Sequence, residues 1–160
     1  MDAQEKYSME EAHEVFARQT NGKAWQLLGK TGRSSAEDDE MVEAAYASSY
    51  HWRSAGTGVN LQRAAWLISH VYAVLGEAKP ALLQARRCLD LTEQHKEQMK
   101  DFDVAYAYEG MSRALALSGE MDEAKKFLSQ AQTAGEAIAG AEDRQIFLGD
   151  LNSGEWYGIR

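Results

Sequence analysis

Four histidines, one cysteine and a Gly-Lys-Thr triplet are the most chemically capable residues of this 160-residue chain. His13 and His51 fall at similar heights if the first two helices make an antiparallel hairpin centred near Thr31 to Arg33. With Glu10 or Glu14 beside them a metal site can be drawn, but no HExxH or comparable ligand spacing supports it. Partly buried structural histidines are the simpler reading, and no metal or cofactor is expected. Cys88 and His95 lie on roughly one helix face, two turns apart, too far for a thiol–imidazole hydrogen bond. Cys88 therefore reads as a small buried packing residue, because a nucleophilic thiol needs an adjacent base and exposure. Gly29-Lys30-Thr31 is a fragment of a phosphate-binding loop, yet Ala24 stands where that motif needs its first glycine and no strand precedes it. It reads as a chance match. Nucleophile elbows, dinucleotide glycine fingerprints and zinc-ribbon cysteine sets are all missing, which weighs against an enzyme. Two pairs remain: Trp66 with His70, and Glu109 with Arg113, each one helical turn apart. The bland reading of the second pair is an i,i+4 ion pair on a helix.

What those pairs face depends on the elements that carry them. The stretch 59–135 contains two copies of one helix–turn–helix unit. An offset of 43 residues maps Ser69 to Ser112, Gly76 to Gly119, Glu77 to Glu120 and Ala81 to Ala124 without a gap. A fixed internal period marks a stacked repeat, in which one unit cannot bury its apolar face alone. In the first copy the periodic residues are Ala65, Ile68, Ser69 and Tyr72, then Ala81, Ala85 and Cys88. In the second they are Tyr108, Met111, Ser112 and Leu115, then Ala124, Leu128 and Ala131. Small residues let paired helices approach, and large ones fill the space between turns.

The rest extends this pair. Residues 1–7 are polar and expected to fray. Ser8 with Glu11 and Ser34 with Glu37 are capping boxes that open two leading helices, and the acidic runs beside them suit helix N-termini. Asn21-Gly22 leaves open one bent helix or two short ones. Helices are expected near 59–75, 78–96, 101–118 and 121–138, with Asp101 as an N-cap. Pro80 fits the first turn of its helix. The apolar tail 141–160, with Phe147, Leu151 and Trp156, is expected to cap the last pair. One domain results, divided as 8–56, 59–96, 101–138 and 141–160.

These residues resemble the tetratricopeptide superfamily in a divergent form: the spacing exceeds its roughly 34-residue period and no proline closes either unit. Trp25-Gln26-Leu27-Leu28-Gly29 also imitates the opening of such a unit, although Gly29 to Ser35 reads as a loop where the helix should continue. The runs 48–52, 71–76, 101–106 and 147–150 resemble a group of small stand-alone bacterial proteins of this type, to which no function is attached. The resemblance implies an all-α, right-handed stack of three antiparallel helix pairs with a C-terminal cap. It also implies that Arg63, Trp66 and His70 of the first copy, and Tyr106, Glu109 and Arg113 of the second, point into a concave groove. An aromatic facing a guanidinium suits a peptide with an apolar anchor and an acidic group. The chaperone-tail members of the superfamily clamp a terminal carboxylate with Lys and Asn at such positions, and these residues do not reproduce that clamp.

Composition narrows the partners. A formal charge of −8 disfavours nucleic acid and anionic membranes. No apolar run reaches membrane length, the acidic start lacks a signal peptide's pattern, and a lone cysteine forms no intramolecular disulfide. A cytoplasmic module that binds a protein or peptide in its groove is the leading expectation. A small-ligand sensor or enzyme using the same concavity, and a structural homo-oligomer, are the alternatives.

Overall fold

The computed structural model describes residues 6–160; the fraying expected of residues 1–7 lies, for residues 1–5, outside the described residues. Among the described residues seven α-helices follow one another: α1 (Met9–Leu28), α2 (Ser35–Ala55), α3 (Gly58–Val74), α4 (Ala78–Gln94), α5 (Asp101–Leu117), α6 (Met121–Glu136) and α7 (Ala141–Leu151). A short 3-10 turn, Lys96–Gln98, separates α4 from α5, and the described residues include no strand.

Local chemistry sets the boundaries. Both capping boxes form: Ser8 accepts from the amide of Glu11 at 3.1 Å, and Ser34 from that of Glu37 at 3.2 Å. Each glutamate reaches back to its cap, satisfying amides that the first helical turn leaves orphaned. Helix α1 runs unbroken through Asn21-Gly22, because neighbouring residues supply enough helical contacts to outweigh one glycine of about 1 kcal/mol. The N-cap of α5 is Lys100, not Asp101. The carboxylate of Asp103 takes the Lys100 amide at 3.0 Å, which frees Asp101 to accept from Ala139 N–H at 2.9 Å and tie α6's exit to α5.

The 43-residue period is visible bond by bond. Ser69 donates to the carbonyl of Ala81 at 2.8 Å, and Ser112 to that of Ala124 at 2.7 Å. Both turns close by the same bond, Glu77 N–H to Tyr72 C=O and Glu120 N–H to Leu115 C=O, each 2.9 Å. Both place glycine at positive φ, +76° at Gly76 and +84° at Gly119, where a side chain would be strained. Ala81, Ala124, Ala131 and Cys88 are buried in the close contacts between helices.

Helices pair as α1 with α2, α3 with α4 and α5 with α6, and α3 also packs on α2 and α5. The core continues from pair to pair. Leu27, Met41 and Ala45 pack with Leu67, Ile68 and Val71, while Ala81 and Ala85 pack with Met111, Leu115 and Ala124. Phe147, Leu151 and Trp156 then close the end against Ala131 and Ile138. A side-chain bond, Ser48 to Ala17 C=O at 2.9 Å, ties α2 to α1. The last residues double back, and the Tyr157 hydroxyl reaches the carbonyl of Ala73 on α3 at 2.6 Å.

Candidate functional site

Helices α1, α3 and α5, the first members of the three pairs, line a concavity of about 330 Å³ with Asp150 of α7 at one wall. That volume is at the lower end of ordinary ligand pockets. Trp25, Trp66, Phe102 and Tyr106 supply aromatic surface; Arg63, Asp103 and Asp150 supply charge.

The floor is fixed by buried hydrogen bonds. Gln62 donates through Nε2 to Thr92 Oγ1 and to the carbonyl of Asp103, both at 3.0 Å, and Thr92 donates to Cys88 C=O at 2.8 Å. Arg63 grips the buried Asp103 carboxylate in two bonds, Nε to Oδ1 at 2.8 Å and Nη2 to Oδ2 at 3.1 Å. Its guanidinium also lies 5.2 Å from the Phe102 ring centroid. A bidentate bond with one buried partner holds both charges in register and leaves that pair nearly neutral.

Trp66 is the hub of the wall. His70 stacks on it at 4.9 Å and 10°, Trp25 at 5.9 Å and 21°, and Tyr106 meets it edge-on at 5.2 Å. Gly110 on α5 makes room for the indole, since a Cβ there would stand 3.1 Å from Trp66 Cδ1. Burial pushes the His70 imidazole below its ordinary pKa, against the opposing pull of Glu109, so the ring is neutral at pH 7. Trp25 keeps 46% of its surface exposed and offers the open aromatic face. Tyr106 donates its hydroxyl to Asp150 Oδ2 at 2.5 Å, and burial with that carboxylate beside it keeps the phenol firmly protonated.

The six residues expected in the groove divide into two sets. Arg63, Trp66 and Tyr106 line the concavity, with His70 stacked behind Trp66. Glu109 and Arg113 do not line it: they are 2% and 6% exposed. Glu109 accepts the Trp66 indole N–H at 2.9 Å and a bond from Arg113 Nε. Arg113 turns three of its four remaining N–H groups to the chain's own C-terminal turn: Nη1 bonds the carbonyl of Glu155 at 2.9 Å, and Nη2 those of Asp150 at 2.9 Å and Ser153 at 2.8 Å. Its Cζ lies 4.0 Å from the Trp156 ring centroid. The tail takes up the guanidinium that a periodic reading of α5 alone points outward.

Trp25, Phe102, Asp103 and Asp150 were outside the expected set. The tetratricopeptide-like opening at Trp25 was the one available signal for the first. Asp103 sits three residues after the α5 N-cap, a position any helix start favours, and Asp150 reaches the wall only through the packing of α7.

The histidine pair of the leading hairpin does come together, with Nδ1 of His13 2.8 Å from Nδ1 of His51. One ring donates and the other accepts. Among the described residues no three His, Cys, Asp or Glu side chains cluster to hold a metal. Cys88 is buried, and burial pushes its thiol up, which suits packing. Lys30 of the Gly-Lys-Thr triplet pairs with Glu37. No helix of the described residues is long and apolar enough to cross a membrane.

Against protein-family models, curated proteins and solved structures, the chain gives no match.

Proposed function

We propose that this chain is a tetratricopeptide-like interaction module of the cytoplasm that holds a segment of a protein partner in the concavity across α1, α3 and α5. The observation that carries the reading is the composition of that concavity: four aromatic side chains over a prearranged polar floor, at the first helices of three successive pairs. Aromatic anchors in a partly desolvated groove are the residues that dominate peptide capture. The lining offers no serine, cysteine or lysine nucleophile, and its two aspartates and one tyrosine are engaged with Arg63 and with each other, which favours binding over covalent catalysis. The equivalent serine bonds and glycine turns of the two copies favour the repeat assignment, with its right-handed stack. A single buried thiol suits a reducing compartment.

Site-directed photo-crosslinking tests it. A crosslinking residue at position 63, in the groove, should capture a protein from native extract, and Trp25→Ala should abolish the capture. The same residue at position 83, on exposed α4 surface, should capture nothing specific. Capture at 83 alone would move the interface to the outer face and overturn the reading.

A further inference from the structure

We propose that the groove takes a basic side chain, a lysine or arginine of the partner segment, placed against Asp150 and the open face of Trp25. This rests on the partner-binding reading above and reverses the acidic ligand that Arg113 suggests from sequence. The charges around the concavity decide it. Arg63 and Asp103 neutralise one another through their two-bond grip. Arg113 is buried, paired with Glu109 and bound to three carbonyls of the C-terminal turn. His70 is neutral. Lys100 lies outside the lining, its ammonium 5.8 Å from the Phe102 ring centroid. Of the charged side chains that line the concavity, Asp150 is left: it is exposed, and among the described residues no ion pair includes it.

Its position sharpens the point. Asp150 lies in the last turn of α7, where the helix dipole disfavours an anion. The Tyr106 hydroxyl orients the carboxylate but brings no charge. A cation arriving there gains an uncompensated carboxylate and an aromatic platform together, the pairing by which proteins recognise ammonium and guanidinium groups. The chain's net charge of −8 draws such a partner in from a distance. The space, about 330 Å³, admits one long side chain with its flanking backbone rather than a folded surface.

Four labelled peptides test it, identical except for a central lysine, arginine, norleucine or glutamate between leucines, together with n-butylammonium as a free cation. Binding is read from fluorescence anisotropy and from the indole N–H resonances of Trp25 and Trp66. The lysine and arginine peptides should shift both indole signals and bind about tenfold more tightly than norleucine. Asp150→Asn, which keeps an acceptor for Tyr106, should remove that advantage, so that the lysine, arginine and norleucine peptides bind the variant alike. Equal binding of lysine and norleucine peptides at the indoles would overturn the charge assignment and leave the groove standing. Preference for glutamate would overturn it in favour of Arg63. Butylammonium binding as tightly as the lysine peptide would replace the partner segment by a small cation. Silence of both indoles toward every probe would end the groove reading itself.

Discussion

Trp66 donates its indole N–H to Glu109 across 2.9 Å, and the two residues occupy the same position in successive copies of the repeat. The equivalent sites of neighbouring units therefore touch directly. One copy supplies a donor with a large apolar body, and the other a buried carboxylate that also holds Arg113. Arg113 in turn fastens the C-terminal turn, so one chain of bonds runs from the groove wall to the end cap.

Breaking that chain at Glu109 should cost the most. Glu109→Ala leaves the Arg113 cation buried and unpaired, a loss of about 3–5 kcal/mol in urea denaturation. Glu109→Gln keeps an acceptor and removes only the charge, so it should cost less, about 1–3 kcal/mol. Similar small losses for both would mean that the ion pair adds little to the fold.

Ser69 and Ser112 should behave as one residue measured twice. Each hydroxyl bonds a carbonyl in the following helix, at 2.8 and 2.7 Å, from equivalent buried positions. Ser69→Ala and Ser112→Ala should each lose about 0.5–1.5 kcal/mol, and the double variant the sum. A loss confined to one site would show that the two copies are not energetically equivalent.

What the sequence discloses about this fold is what local chemistry and a fixed period can encode. Capping serines, the turn glycines Gly76 and Gly119, and the small residues Ala81 and Ala124 are each specified within a few residues of themselves. The all-helical class follows from them. Arg113 shows the opposite case. Its place on α5 was legible, but its burial depends on a tail that returns over it from about 40 residues away. Asp150 is similar: it meets Tyr106 across 44 residues with no periodic relation between them. Trp25 was half-legible, since a repeat-like opening surrounds it but the loop from Gly29 to Ser34 falls where the helix of such a unit should continue.

Acid should weaken the fold through His70. The unfolded chain takes up this proton near the ordinary 6.5, whereas the buried ring takes it up only at lower pH. Between those values the unfolded state binds more protons, so stability falls as pH falls through the window. His70→Phe keeps a ring against Trp66 and removes the proton. Its stability should decline less than that of the parent from about pH 7.5 to about pH 5. Parallel declines would assign the acid sensitivity to other groups.

Two glycines near the cap should respond with opposite signs. A Cβ at Gly135 of α6 would drive into the Phe147 ring, which is fully buried and anchors α7. The ring cannot yield without unseating Leu151 and Trp156, its partners in the same cluster. Gly135→Ala should therefore cost about 1–3 kcal/mol by overpacking. Gly149 lies within α7, and a Cβ there meets nothing within 4 Å. Gly149→Ala should stabilise by about 0.5–1 kcal/mol, because alanine loses less backbone freedom in forming the helix. Thermal unfolding of the two variants beside the parent gives both values. If Gly135→Ala matched the parent, α7 would not be seated on α6 through Phe147, and the clasp of Arg113 on the C-terminal turn would lose its support.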